Sequence, residues 1–240
     1  MLIFSVKFKK PTILSNMKCY IINLEEASDR KQFFLNQLRI VDKDGIHTKH
    51  FDFFPAISKN NTDQMKKYCK EFNITLQGGE ACCAISHLLV LRKIIEMEEE
   101  YTVIFEDDAK ILSLQFFDVE NLMKEINIKD FDILYLNNRI KHNDKYEPIN
   151  GWGLEGYIVS KQGAKKIYDI LTCDVLSSPI DNQIQSHIKG MKIARSCHRK
   201  KLPNLWLKAY RTKTAFVKHF PNGHSYIGRP KGHWLLNNET

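Results

Sequence analysis

Residues 101–108 read YTVIFEDD: Tyr101, Thr102, Val103, Ile104 and Phe105, then Glu106, Asp107 and Asp108. The first five are β-branched or aromatic, the composition of a buried strand. Three adjacent carboxylates at the end of such a strand repel one another and resist desolvation, so something must compensate them. Alternation along a strand sends Glu106 and Asp108 to one side and Asp107 to the other. In an open α/β sheet the carboxyl ends of the strands line the ligand crevice. A hard cation, Mn2+ or Mg2+, takes oxygen ligands and relieves the repulsion, and a cation held there grips a diphosphate. Glu106 and Asp108 are therefore the candidate metal ligands, the alternative being a loop of solvated acids after the strand.

Outward from this stretch, strands and helices alternate. Short buried strands are expected at Cys19–Leu24, Phe51–Ala56, Ile133–Leu136 and Gly156–Ser160. Helical spacing of apolar residues predicts helices after Ala27-Ser28-Asp29 and from Asn61 or Thr62 to Phe72. The longest runs from Ala81 to about Glu99 behind Gly78-Gly79-Glu80, where bare backbone N–H groups can meet an anion. Further helices are expected at Phe116–Ile126, from Lys161 to Leu171, and from Ser177-Ser178-Pro179 to Ile188. Residues 137–151 read as a loop, and Lys192–Ala194 as a last short strand. The alternation predicts an α/β fold with a mainly parallel sheet. Asp130 and Asp132 also make a D-x-D pattern, but they precede a strand. That puts them at the opposite sheet edge, in a helix-to-strand turn.

Composition narrows the class. The 240 residues are 43% apolar and 27% charged, with eleven Gly and seven Pro, which excludes disordered and low-complexity chains. No run of about 18 apolar residues is present to form a transmembrane helix. Residues 1–16 place their apolar run before their charges, the reverse of a signal peptide. They are expected to be a loosely held extension. The six cysteines form no CxxC pair, so reduced thiols in a cytosolic protein are expected. Residues 182–240 carry twelve Lys and Arg against one acid, Glu239, a net +11, while the rest of the chain carries −3. A segment so basic, with aromatics interleaved, suits an anionic partner, whether a membrane surface, a phosphorylated substrate or nucleic acid, the alternative being a solvated basic face with no partner.

Several further motifs stand in order along the chain: YIINLEEASDR, GGEACCAISH, VIFEDDA, WGLEGYIVSKQGAKKI and PID. Together, over about residues 18–185, they resemble glycosyltransferase family 25, the lipopolysaccharide/lipooligosaccharide β-galactosyltransferases. Glu26, where many members carry a basic residue, and Cys82, in place of a common Gly, depart from the pattern. The resemblance implies a GT-A-like nucleotide-sugar transferase fold. With the composition shift at about residue 182, residues 17–181 are expected to be the catalytic core and 182–240 a basic segment packed on it. It also implies a UDP-galactose donor, inversion at the anomeric carbon and a divalent metal at the acidic motif. The matched positions Asn23, Leu24, Arg30, Gly79, Glu80, Ser86, His87 and Asp107 are expected around the nucleotide sugar. An inverting transfer needs a base for the acceptor hydroxyl, and Asp181 is the first candidate, Glu155 the second. A carboxylate at Asp181 is equally what a helix start favours.

The expected role is therefore transfer of galactose to a lipid-linked oligosaccharide. The enzyme is expected to be cytoplasmic and peripheral on the inner membrane, with its basic segment against anionic lipid. The alternatives are another UDP-hexose donor, a collagen-type hydroxylysine acceptor, an inactive family member, and a non-catalytic protein that binds nucleic acid or anionic surfaces. Hydroxylysine transfer would require entry to the endoplasmic reticulum, and no signal for that entry is visible. No nucleic-acid-binding motif is visible either, so no specific nucleic acid is expected.

Overall fold

The structure is a computed structural model that describes residues 17–192 and 205–220. Its first half runs β1 (Lys18–Asn23), α1 (Ser28–Val41), β2 (Phe51–Pro55), α2 (Thr62–Glu71), α3 (Gly78–Glu96), β3 (Tyr101–Glu106), β4 (Ala109–Ile111) and α4 (Val119–Glu125). The second runs β5 (Ile133–Tyr135), β6 (Lys141–His142), β7 (Pro148–Asn150), β8 (Gly156–Ser160), α5 (Lys161–Thr172), α6 (Ile180–Gln185), β9 (Ala209–Arg211) and β10 (Val217–His219).

Six strands form one sheet in the order β2-β1-β3-β8-β5-β9. Its pairs are parallel except where β8 runs against β3 and β5, so the mainly parallel α/β sheet expected from the alternation is what forms. Side chains alternate across it and build two cores. Tyr20, Ile22, Ile104 and Tyr157 pack under α3, α5 and α6. Cys19, Ile21, Val103 and Phe105 pack under α1 and α4. Helices thus cover both faces, as parallel sheets require. α3 is buried around most of its circumference, from Ala81 to Ile94. This explains why its apolar pattern is dense rather than one-sided.

Some elements differ from expectation. The helix expected at Phe116–Ile126 is broken: Asp118 accepts a hydrogen bond from the Asn121 backbone N–H at 3.0 Å and caps a fresh start for α4. The expected loop at 137–151 contains the β6–β7 hairpin. Helix α6 ends at Gln185, short of Ile188. Lys192 is in no strand, and the rest of the strand expected at 192–194 lies outside the described residues, as do residues 1–16. Part of the basic segment joins the sheets: β9 extends the main sheet beside β5, and β10 pairs with β4. Asp132 is buried at the opposite edge, paired with Lys166 and accepting from the Lys208 backbone N–H at 2.8 Å. None of the five described cysteines is in a disulfide. Among the described residues no helix is long and apolar enough to cross a membrane.

Candidate active site

Strand register gathers the acids. Ile22 on β1 stands beside Glu106 on β3, so Asn23 and Asp107 follow as neighbours. Phe105 pairs with Gly156 on antiparallel β8, and the Glu106 backbone N–H donates to the Glu155 carbonyl at 3.2 Å. Glu155 therefore arrives opposite Glu106 although 49 residues separate them in sequence.

The three carboxylates of the motif then diverge. Glu106 turns toward α3, with His87 Nε2 at 3.3 Å and Cys83 Sγ at 3.9 Å. His87 Nδ1 lies 3.0 Å from the Tyr157 hydroxyl, so a line of polar groups runs from β8 to Glu106. Asp107 turns the other way, toward α1. It accepts from Asn23 Nδ2 at 2.9 Å and pairs with Arg30. Asp108 lies beside β10, where His219 Nδ1 is 3.7 Å from Asp108 Oδ2 and 3.9 Å from Glu155 Oε1. The pairing of His219 with Ala109 puts it there.

Glu155 is 1% exposed and held on all sides. Arg139 pairs with it, and Asn137 Nδ2 donates to its Oε2 at 3.0 Å. Above it runs the turn Gly151-Trp152-Gly153. Both glycines have positive φ, and a Cβ at Gly151 would stand 2.1 Å from the Arg139 carbonyl oxygen. Only glycine fits such positions. The Gly153 backbone N–H donates to Asp181 Oδ2 at 3.3 Å, which ties α6 to this turn.

So many acids in one place shift one another. Burial, then the charges of Asp108, Asp181 and Asp107, push Glu106 up to about 8. Burial pushes Glu155 up to about 7 against the opposing pull of Arg139. Burial drives His87 down to about 4, so its imidazole is neutral. These shifts are the electrostatic signature of a site short of positive charge.

A divalent cation fits that deficit. Asp108 Oδ1 is buried and has no hydrogen-bond partner among the described residues, leaving an orphaned anionic acceptor. Carboxylate donors suit a hard ion, and an imidazole is accepted by Mn2+ more readily than by Mg2+. Cys83, His87 and Glu106 also place ligand atoms within 4.8 Å of one another. There, however, the thiol is kept protonated by burial and by Glu106, and His87 already has partners on both nitrogens.

Of the residues expected around the nucleotide, Leu24, Arg30, Gly79, Ser86, His87 and Asp107 line one cavity together with Glu106 and Asp108. Asn23 and Glu80 are not in that lining. Asn23 is buried beneath it, and Glu80 is half-buried in the first turn of α3. Ser86 is committed to structure: its hydroxyl donates to the Cys82 carbonyl at 2.7 Å and accepts from the Ile57 N–H at 2.9 Å. Asp181 and Glu155 are not in that lining: Glu155 stands just before β8, and Asp181, at the start of α6, is near enough for its charge to act on Cys83, His87 and Glu106.

The sequence profile described as glycosyltransferase family 25 (LPS biosynthesis protein) matches residues 16–184. The chain belongs to glycosyltransferase family 25. It is similar to a putative glycosyltransferase of Haemophilus influenzae, 26% identical over 196 residues, covering 73% of this chain and 66% of that protein. It is also similar to procollagen galactosyltransferase 1-B of Xenopus laevis, 26% identical over 183 residues, covering 66% of this chain but 29% of that one. The chain thus spans about two thirds of the first relative and under a third of the second. Among solved structures it resembles the galactosyltransferase LgtC in complex with donor and acceptor sugar analogues. That match has a TM-score of 0.44 at 9% identity and covers 87% of this chain and 90% of LgtC.

Three members of this family 25 site escaped the sequence. Arg139 and Asn137 lie in a polar stretch that reads as loop. His219 is one of five histidines in the basic segment, and spacing alone does not single it out.

Proposed function

We propose that the chain is an inverting, divalent-metal-dependent glycosyltransferase that moves galactose from UDP-galactose to the oligosaccharide of a lipopolysaccharide or lipooligosaccharide. The observation that carries this reading is the cluster of Glu106, Asp108, Glu155 and Asp181, short of positive charge, at the edge of the cavity that Glu106 and Asp108 line. Galactose is supported by the name of the procollagen galactosyltransferase relative, and the lipopolysaccharide acceptor by the family's description.

The cavity flank takes the donor. The N-terminus of α3 at Gly79 offers backbone N–H groups and the positive helix end to a diphosphate. Glu106, Asp108 and His219 would hold the metal. When bound, the ion supplies Lewis-acid stabilisation of the charge on the departing UDP. On the other flank Asp181 takes the acceptor hydroxyl proton as that oxygen bonds to the anomeric carbon and the bond to UDP breaks. Two observations favour Asp181 over Glu155. Glu155 is buried and its oxygens are held by the Arg139 and Asn137 side chains, whereas Asp181 is half-buried and accepts one backbone N–H on each oxygen, from Asn182 and Gly153, so lone pairs remain for a proton. Glu155 then acts by holding Arg139 and the Gly153 turn. The basic segment supports docking on anionic lipid, which flotation with anionic vesicles at low salt tests.

The deciding experiment incubates the protein separately with UDP-galactose, UDP-glucose and UDP-N-acetylglucosamine, with Mn2+ or with EDTA, and follows UDP release. Mn2+-dependent release from UDP-galactose alone is expected. Absence of both release and calorimetric UDP binding in Mn2+ overturns the reading.

A further inference from the structure

Trp152 stands out among the exposed apolar side chains because it is both open and fixed. It is 55% exposed. Isolated exposed aliphatic residues are ordinary, but this indole sits on a turn that cannot flex freely. Glycines at positive φ flank it. Gly153 is tied through its N–H to Asp181 and through its carbonyl to Asn137 Nδ2 at 3.3 Å. The Arg139 guanidinium lies over the ring, 5.4 Å from its centroid, and the same guanidinium pairs with Glu155. The ring is therefore one guanidinium away from the acid cluster, with its remaining surface turned to solvent.

Its flank is the informative part. The lined cavity lies toward β1, β2 and α3. Trp152 precedes β8, on the other side of Glu106–Asp108 in the sheet order. An inverting displacement brings the acceptor oxygen in opposite the leaving diphosphate. A group on this flank, one residue from the backbone N–H that holds Asp181, therefore meets the acceptor rather than the nucleotide.

We infer that Trp152 is the stacking platform for a pyranose ring of the acceptor oligosaccharide. One face of a pyranose carries C–H groups of slight positive charge, which complement the negative face of an aromatic ring. A ring already fixed in place loses little freedom on contact, which favours binding. This inference rests on the glycosyltransferase reading and adds the residue that recognises the acceptor sugar.

The test uses the indole N–H signals of the 15N-labelled full chain, with the Trp152 signal identified by its loss in Trp152→Phe. Methyl glycosides of glucose, galactose and N-acetylglucosamine, both anomers, are titrated in with UDP and Mg2+ present. At least one should move the Trp152 signal saturably while Trp206 stays still. Its affinity, read by saturation transfer to the glycoside, should fall by up to about tenfold in Trp152→Ala and largely survive in Trp152→Phe. If no glycoside moves the Trp152 signal while UDP binds, the platform is wrong and the transferase reading stands. If the signal moves with UDP-galactose but with no methyl glycoside, the ring serves the donor and the acceptor assignment is overturned. If UDP itself fails to bind by calorimetry, both readings fall.

Discussion

Replacing Arg30 by Ala tests whether the α1 side of the acidic motif is a structural lock or a nucleotide contact. Asp107 is 7% exposed, and its pair with Arg30 has side-chain exposures of 14% for Arg30 and 9% for Asp107. Without Arg30 the carboxylate keeps the Asn23 amide at 2.9 Å, in a site where burial already pushes its pKa up. Breaking a buried pair by removing one partner costs about 3–5 kcal/mol. The surviving amide bond and the residual exposure put this case near the lower end, at about 3 kcal/mol. For a chain of this length that lowers Tm by roughly 6–12 °C. Arg30→Ala, Asp107→Asn and the double variant form a cycle read by urea unfolding. Neutralising Asp107 removes the uncompensated charge, so the double variant should regain about 2 kcal/mol relative to additivity. UDP affinity is measured on the same proteins. Unchanged stability in Arg30→Ala, together with lost UDP binding, would refute the lock and restore Arg30 as a nucleotide ligand.

Three other outcomes are expected. Asp108→Asn should lower Mn2+-dependent UDP release by at least about a hundredfold, and the Mn2+ electron paramagnetic resonance signal should report weakened binding. Near-normal turnover would remove Asp108 from the metal site. Gly163→Ala should destabilise by about 1–3 kcal/mol in urea, because the new Cβ would stand 2.0 Å from the Asp132 carbonyl oxygen, a backbone atom. A neutral effect would mean that α5 slides freely on β5. Burial raises the Asp42 pKa, but hydrogen bonds from Thr48 and His47 outweigh it and hold the carboxyl below its ordinary value. Its stabilisation is present above about pH 4 and lost as pH falls through the depressed folded value. Asp42→Asn should cost about 1 kcal/mol at neutral pH and flatten the acid limb of the stability curve. An unchanged acid limb would show that other carboxylates set it.

Legibility in the sequence followed local physics. The strand YTVIF and the parallel arrangement are readable because β-branched runs alternate with helical periods, and no distant contact is needed to see either. The divergence of Glu106 and Asp107 follows from strand alternation alone. Asp132 was separable from the site because it precedes its strand. By contrast, the Glu106–Glu155 juxtaposition depends on β8 being antiparallel, which no local pattern announces. Asn23 and Arg30 carry motif positions yet bind Asp107, since a motif marks where a residue sits and not which partner it takes. β4, β9 and β10 are three residues each, too short for a periodic signal. Asp118 is a residue type that favours caps, but the apolar residues on both sides of it continue the helical pattern and hide the break.

The late strands also set an order of events during synthesis. β9 docks on β5 from 74 residues or more downstream, and β10 reaches back past 100 residues to β4. Non-local pairings of this kind form slowly, and the earlier part of a chain emerges and collapses first. Until residue 211 has emerged, Ile133, Leu134 and Tyr135 present an unpaired apolar strand edge, the usual template for aggregation. A fragment trimmed to residues 16–184, the limits of the family match, keeps that edge open permanently and lacks His219. Insolubility of such a fragment would therefore report a missing strand, not a missing activity.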